Sequence, residues 1–204
     1  MRLPEPMLLR PGTLPLGSGY SYELKWDGFR ALVSTVDGLR VRSRRGWDMT
    51  ALLPELETLP EGLVLDGELV AFADRRPSFP LLCNRLLHRN SDAAVTFVAF
   101  DVLYAAGLSA TSLPLAERRV LLESLPLDSP FYVGPTFDDG DALFDAVCRD
   151  GHEGIVAKRL HDPYKPGERA WVKIKNPGYW RRSSEIESMQ KSIERRQRRA
   201  LLGQ

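Results

Sequence analysis

The sequence predicts an α+β fold built on largely antiparallel β-sheets with flanking helices. Two alternating strand patterns meet at Asp37-Gly38, which opens a meander. Helical stretches are inserted between the later strands instead of alternating regularly with them, and no internal repeat recurs along the 204 residues. At 43% hydrophobic residues, a chain of this length can bury one sizeable core or two small ones.

The elements follow in order. Residues 1–19 carry Pro4, Pro6, Pro11, Pro15 and three glycines, and read as an extended arm. From Ser21 a strand pattern begins, with Tyr22, Leu24 and Trp26 on one face and Ser21, Glu23, Lys25 and Asp27 on the other. Asp27-Gly28 breaks it, and Phe29, Ala31 and Val33 resume the alternation beyond. Strand patterns over 30–36 and 39–43 flank the Asp37-Gly38 turn, with Arg44 and Arg45 at the far end. Residues 50–58 predict a short helix with Pro54 near its first turn. Residues 63–72 predict a strand carrying Asp66, Glu68 and Val70 on one face.

A second helix is predicted over 77–88, with Phe79, Leu82, Leu86 and Leu87 as its apolar stripe. The apolar run 95–104 reads as a buried strand. Helices follow at 113–125, with Pro114 near the first turn, and at 139–149, stopped by Gly151. Residues 154–160 and 170–175 read as paired strands. Lys173 and Lys175 share a face with Trp171, opposite Val172 and Ile174. Past Lys175, Ser184 and Glu187 form a capping box, and Ile186, Met189, Ile193 and Ala200 give a helical stripe over 181–204.

The net charge of +1 hides an asymmetry. Residues 181–204 hold seven Lys/Arg against three acids, leaving the body formally −3 and this segment +4. An acidic body argues against indiscriminate nucleic-acid coating and for local basic patches. No stretch is long and apolar enough to span a membrane, and the start has no apolar signal-peptide core, so a cytoplasmic, nucleoid-associated location is expected. Cys83 and Cys148 are expected to be buried thiols, neither disulfide-bonded nor metal-bound.

Six stretches stand out in order: Lys25-Trp26-Asp27-Gly28-Phe29-Arg30, Ser43-Arg44-Arg45-Gly46, Leu65-Asp66-Gly67-Glu68-Leu69, the run from Phe97 to Tyr104, Glu153-Gly154-Ile155-Val156-Ala157-Lys158, and Trp171-Val172-Lys173-Ile174-Lys175. Each alone is weak. As an ordered set, from about Pro4 to Lys175, they resemble the nucleotidyltransferase domain of ATP-dependent DNA ligases, the bacterial end-joining type above all. The resemblance implies the DNA ligase and capping-enzyme nucleotidyltransferase fold, related to ATP-grasp, over 1–180.

It also implies a reaction. Lys25 would become AMP-linked from ATP and pass AMP to the 5′-phosphate of a nick in double-stranded DNA. Arg30 and Glu68 would hold the ribose, Phe100 would stack on adenine, and Glu23 would help choose it. Glu68 and Glu153 would hold Mg²⁺ or Mn²⁺. Lys173 and Lys175 would meet the α-phosphate, and Arg44 a phosphate at the nick. Ligases of this family continue into an oligonucleotide-binding (OB-fold) barrel, which residues 181–204 do not resemble. A separate OB-fold partner, or end-joining and repair proteins, are therefore expected partners.

The chemistry agrees with the residue types. A lysine attacks phosphorus only as the free amine, and an exposed lysine, with a pKa of about 10.4, is almost all ammonium at neutral pH. Two like charges at Lys173 and Lys175 are expected to favour the free amine. Alternatives remain at this point: Phe100 as plain core packing, Lys173 and Lys175 as a solvated edge, and 181–204 as a packing helix. An RNA ligase, a capping-type enzyme or a non-catalytic nick-binding module are the rival functions.

Overall fold

The structure is a computed structural model that describes residues 3–179. The proline-rich arm is not free. Its strand β1 (Leu8–Pro11) pairs in parallel with the last strand of the chain, and Met7 beside it is fully buried. Pro11, which has no N–H to offer, falls at the end of this edge strand. Strands β2 (Tyr20–Leu24) and β3 (Phe29–Ser34) come next, followed by β4 (Arg40–Ser43). The β3–β4 turn has positive φ at both Asp37 (62°) and Gly38 (92°), the geometry for which Asp-Gly is selected.

The predicted helix over 50–58 is instead two short 3₁₀ turns, Thr50–Leu52 and Pro54–Thr58. Pro54 is the reason: it forces Leu53 out of helical geometry, to ψ 54°, and starts the second turn itself. Strand β5 (Val64–Ala73) follows, then a two-residue strand β6 (Arg76–Pro77). The predicted helix over 77–88 resolves into α1 (Phe79–Cys83), capped by the Ser78 hydroxyl, and a π-turn over Asn84–His88 that ends at Arg89 with φ 53°. The wider turn rotates the apolar stripe. Phe79, Leu82 and Leu86 are buried as expected, but Cys83 joins them and Leu87 is left half-buried.

The buried strand β7 (Val95–Ala105) leads into β8 (Leu108–Ser109), then α2 (Leu115–Ser124) with Pro114 as its N-cap. Strands β9 (Phe131–Val133) and β10 (Thr136–Phe137) precede α3 (Gly140–Asp150). The Asp139 side chain caps α3, and Gly151 closes it at φ 73°. Strands β11 (Gly154–Arg159) and β12 (Arg169–Lys175) complete the set.

The strands form two sheets. One has the order β1-β12-β11-β2-β10; the other runs β4-β3-β5-β7-β8, with β6 on β5 and β9 on β7. All pairings are antiparallel except β1 with β12 and β7 with β9. Three apolar clusters follow from strand alternation. Val172 and Ile174 pack with Ile155, Ala157 and Tyr22 against α3. Val156, Trp171, Leu32, Val64 and Leu103 fill the space between the sheets. The far face of the larger sheet packs beneath Leu53, Leu56, Leu82 and Leu86. Both cysteines are free thiols, Cys83 buried and Cys148 half-buried. Burial pushes the Cys83 thiol up to about 12. Among the described residues no helix is long and apolar enough to cross a membrane. The predicted helix over 181–204 lies outside the described residues.

Lys25-Trp26-Asp27-Gly28 is the crossing from one sheet to the other, since β2 belongs to the first and β3 to the second. The crossing is tight. A Cβ at Gly28 would stand 2.1 Å from the Leu69 carbonyl oxygen, so only glycine lets the chain pass β5 this closely.

Candidate active site

Lys25 follows the end of β2, and its backbone N–H still bonds Gly154 O (2.9 Å), which ties it to the start of β11. That places its amine beside the residue preceding β11: Lys25 Nζ donates to Glu153 Oε2 at 2.7 Å. The partner of the amine is thus a carboxylate, whereas sequence alternation had drawn attention to the lysines of β12. Glu153 is itself fixed from behind, because Asn176 N–H bonds its carbonyl and a Cβ at Gly154 would strike Ile174 O at 2.2 Å.

The second sheet supplies the facing wall. Arg30 on β3 makes a bidentate pair with Asp66, Nε to Oδ1 at 2.9 Å and Nη2 to Oδ2 at 2.6 Å. Tyr164 Oη donates to the same Asp66 Oδ2 at 2.6 Å and accepts from Met7 N at 2.8 Å. The clamp locks the guanidinium 5.3 Å from the Phe100 ring centre and 5.1 Å from that of Trp171. Arg30 is paired in register with Glu68 across β5, just past a bulge between Asp66 and Gly67. The Glu68 carboxyl is pushed up to about 8 by burial; Lys25 and Arg30 oppose this, and Glu153 and Asp66 add to it.

An aromatic floor lies between the walls. Phe100 and Trp171 meet edge to face at 5.8 Å, and Lys158 Nζ sits 4.4 Å and 4.2 Å from their centroids. Lys158 is only 2% exposed and pairs with Glu23 Oε2 at 2.7 Å. Burial lowers the Lys158 pKa and raises that of Glu23, while each favours the charged form of the other. Phe100 is half-buried: it packs against the apolar cluster between the sheets and also lines the cleft.

Glu23, Lys25, Arg30, Glu68 and Phe100 therefore line one cleft, and Glu153 holds the lysine at its edge. Lys173 is half-buried on the same side. Its amine is drawn below the ordinary lysine value by burial, then by Lys175 and Lys25, with Glu153 opposing. Lys175 and Arg44 are exposed at the rim. Arg44 shares the field of Arg30 and Glu68, and partial burial and Arg45 pull its pKa down. A second hollow opens on the other side of Lys25, lined by Asp27, Arg76, Asp150, His152 and Tyr179, where Tyr179 Oη bonds Asp27 Oδ2 at 2.7 Å.

Sequence reasoning missed three parts of the cleft: Lys158, Trp171 as floor, and the Asp66–Tyr164 clamp. Period two was a usable signal for the first, since Gly154, Val156 and Lys158 must share one face of β11. No local pattern announces Tyr164, which reaches Asp66 from 98 positions away.

Two curled, mainly antiparallel sheets with a charged and aromatic cleft between them define the nucleotidyltransferase fold of DNA ligases. The sequence matches the family model for the ATP-dependent DNA ligase domain over residues 15–175. The chain belongs to that family, and the part it represents is the catalytic adenylation domain. It is 36% identical over 183 residues to the SPbeta prophage-derived DNA ligase-like protein LigB of Bacillus subtilis, covering 85% of this chain and 68% of LigB. It is 39% identical over 183 residues to the multifunctional non-homologous end joining DNA repair protein LigD of Mycobacterium tuberculosis, covering 84% of this chain but 24% of LigD. A solved structure of mycobacterial DNA ligase D complexed with ATP and MES superposes with a TM-score of 0.73 at 37% identity, over 84% of this chain and 60% of that one.

Proposed function

We propose that the chain carries AMP covalently on Lys25 and transfers it to the 5′-phosphate of a DNA nick. The observation that carries this is the Lys25–Glu153 pair at 2.7 Å on the edge of the cleft lined by Glu23, Arg30, Glu68, Phe100 and Trp171. Glu153 holds the amine in place and is the nearest base for its proton. The lysine nitrogen then bonds the α-phosphorus, the bond from that phosphorus to the bridging oxygen breaks, and pyrophosphate leaves. Arg30 and Glu68 face the ribose, Phe100 and Trp171 receive the base, and Glu23 meets the base edge. Lys173 and Lys175 stabilise charge on the phosphates, and Arg44 meets a phosphate of the nicked strand.

Glu68 and Glu153 fit a role in holding Mg²⁺ or Mn²⁺. They are two carboxylates close enough to raise the pKa of one of them, and Mg²⁺ characteristically takes one or two carboxylates together with substrate phosphate oxygens. Among the described residues no larger cluster of metal-ligating side chains competes with them. The ion, when bound, supplies neutralisation of phosphate charge.

The end-joining role of LigD supports the same role here, with nicked double-stranded DNA as substrate, repair proteins or a separate OB-fold domain as partners, and a cytoplasmic, nucleoid-associated location. The test is intact mass before and after ATP and Mg²⁺. A gain of one AMP that disappears in Lys25→Ala supports the assignment; adenylated peptides mapping to Lys173 or Lys175 contradict it.

A further inference from the structure

Among the described residues, the buried side-chain polar atoms without a protein partner are Glu23 Oε1, Arg119 Nε and Arg119 Nη1. All three belong to two residues that come from different elements and interact. Glu23 lines the cleft from β2, 5% exposed, with Oε2 bonded to Lys158. Arg119 lies on the buried side of α2, 7% exposed, where Nη2 donates to Gly134 O at 2.9 Å and Glu123 Oε1 at 2.8 Å.

Buried donors are nearly always used, so a guanidinium with two idle nitrogens in the electrostatic field of a buried carboxylate with an idle oxygen needs a reason. Bracing the Gly134 carbonyl would require one donor. What the full guanidinium adds is a permanent positive charge. Glu23 is flanked by Lys158 from β11, Arg119 from α2 and Asp101 from β7; burial and Asp101 disfavour its charged form, and the two cations favour it. The two cations are not equivalent. Burial lowers the Lys158 pKa, so the Glu23–Lys158 pair can neutralise itself by moving one proton, whereas an arginine does not deprotonate.

At position 6 of a purine, the protonation state of Glu23 decides which group it can meet. An ionised carboxylate only accepts hydrogen bonds and suits the amino group at position 6 of adenine. A protonated one also donates, and suits the oxygen that guanine carries there.

We propose that Arg119 is a specificity-determining positioning residue: its fixed charge behind the cleft keeps Glu23 an acceptor-only carboxylate, and so makes the pocket choose a 6-amino purine nucleotide over its 6-oxo counterpart. This rests on the base-facing role given to Glu23 above, and extends it to a residue that never touches the nucleotide.

Equilibrium titration with ATP and with GTP, from about pH 6 to about pH 9, tests it without depending on the covalent step. The wild-type preference for ATP should weaken as pH falls and Glu23 gains its proton. In Arg119→Met that weakening should begin at higher pH, with the ATP-to-GTP affinity ratio down about tenfold at a given pH on the sloping part, the equivalent of one pKa unit. Arg119→Lys, which keeps the charge, should restore most of the ratio, while Arg119→Gln, which keeps a donor without the charge, should not; a mere brace predicts that both restore it. Arg119→Gln serves if the methionine variant does not fold. Glu23→Gln, which offers donor and acceptor alike, should give a low ratio that is flat with pH. A folded Arg119→Met or Arg119→Gln with the wild-type ratio at every pH overturns the proposal. If Glu23→Gln also keeps the wild-type ratio, the base-facing role of Glu23 is what has failed.

Discussion

Lys25 and Glu153 stand 128 positions apart in the sequence, yet their side chains meet at 2.7 Å because β2 and β11 are neighbours in one sheet. The backbone bond from Lys25 N to Gly154 O sets the register that brings them together. A pair positioned by strand register keeps its separation without the entropy cost of ordering a loop.

It follows that Glu153→Ala and Lys173→Ala should abolish most adenylate transfer and leave the fold intact, because neither side chain fills a core. Removal of one electrostatic group from such a site costs on the order of a hundredfold in rate. Single-turnover adenylation alongside thermal melting checks this; near-normal rates with unchanged melting would exclude these roles.

Stability should carry the signature of Glu68. Its carboxyl moves from 4.5 to about 8 in the folded protein, so the folded state binds a proton that the unfolded chain releases more readily. This contribution is complete below the unfolded pKa and is lost as pH rises through the folded one. The metal-free protein should therefore lose melting temperature between about pH 5 and about pH 8 relative to Glu68→Gln, in which this component is absent. Parallel melting curves for the two proteins across that range would contradict the burial assigned to the carboxyl.

Tyr164→Phe should destabilise the protein by about 1–3 kcal/mol, because it leaves the buried Met7 N–H without a partner and Asp66 Oδ2 with Arg30 as its one remaining donor. It should also weaken nucleotide binding, since Asp66 is what clamps Arg30. Denaturant melts and ATP titration of the variant measure the two effects, and a wild-type result in both would show that the hydroxyl is dispensable.

Arg195, Arg196, Arg198 and Arg199 lie outside the described residues, so a prediction about them rests on charge alone. Deleting residues 191–204 should weaken binding to nicked DNA and flatten its salt dependence, by about 0.9 in log–log slope for each phosphate no longer neutralised. Unchanged affinity and slope would assign this segment no part in DNA binding.

The sheets and α3 were legible because each depends on local signals: period-two alternation, Asp-Gly at a two-residue turn, an aspartate cap and a terminal glycine. The 50–58 and 77–88 segments were misread for local reasons too. A proline restricted its predecessor in one, and a π-turn shifted the face of the other. The short strands β6, β8, β9 and β10 left no pattern, since two or three residues are too few to alternate. In the cleft, residues inside motifs were visible. Residues that matter through a distant partner, such as Tyr164 with Asp66 or Arg119 with Glu23, were not, because only the tertiary fold brings those pairs together.

The parallel pairing of β1 with β12 bears on how the protein is cut and fused. A boundary placed after residue 19, where the proline-rich arm ends, would peel a strand from the edge of the sheet that carries Trp171 and Lys173. It would also remove Met7, whose backbone anchors Tyr164. The exposed side of β12 would then present unpaired N–H and C=O groups to any extended chain nearby, which invites self-association. A shortened protein that began near Lys25 would thus tend to aggregate, with a damaged Arg30 clamp that no mutation in the cleft explains.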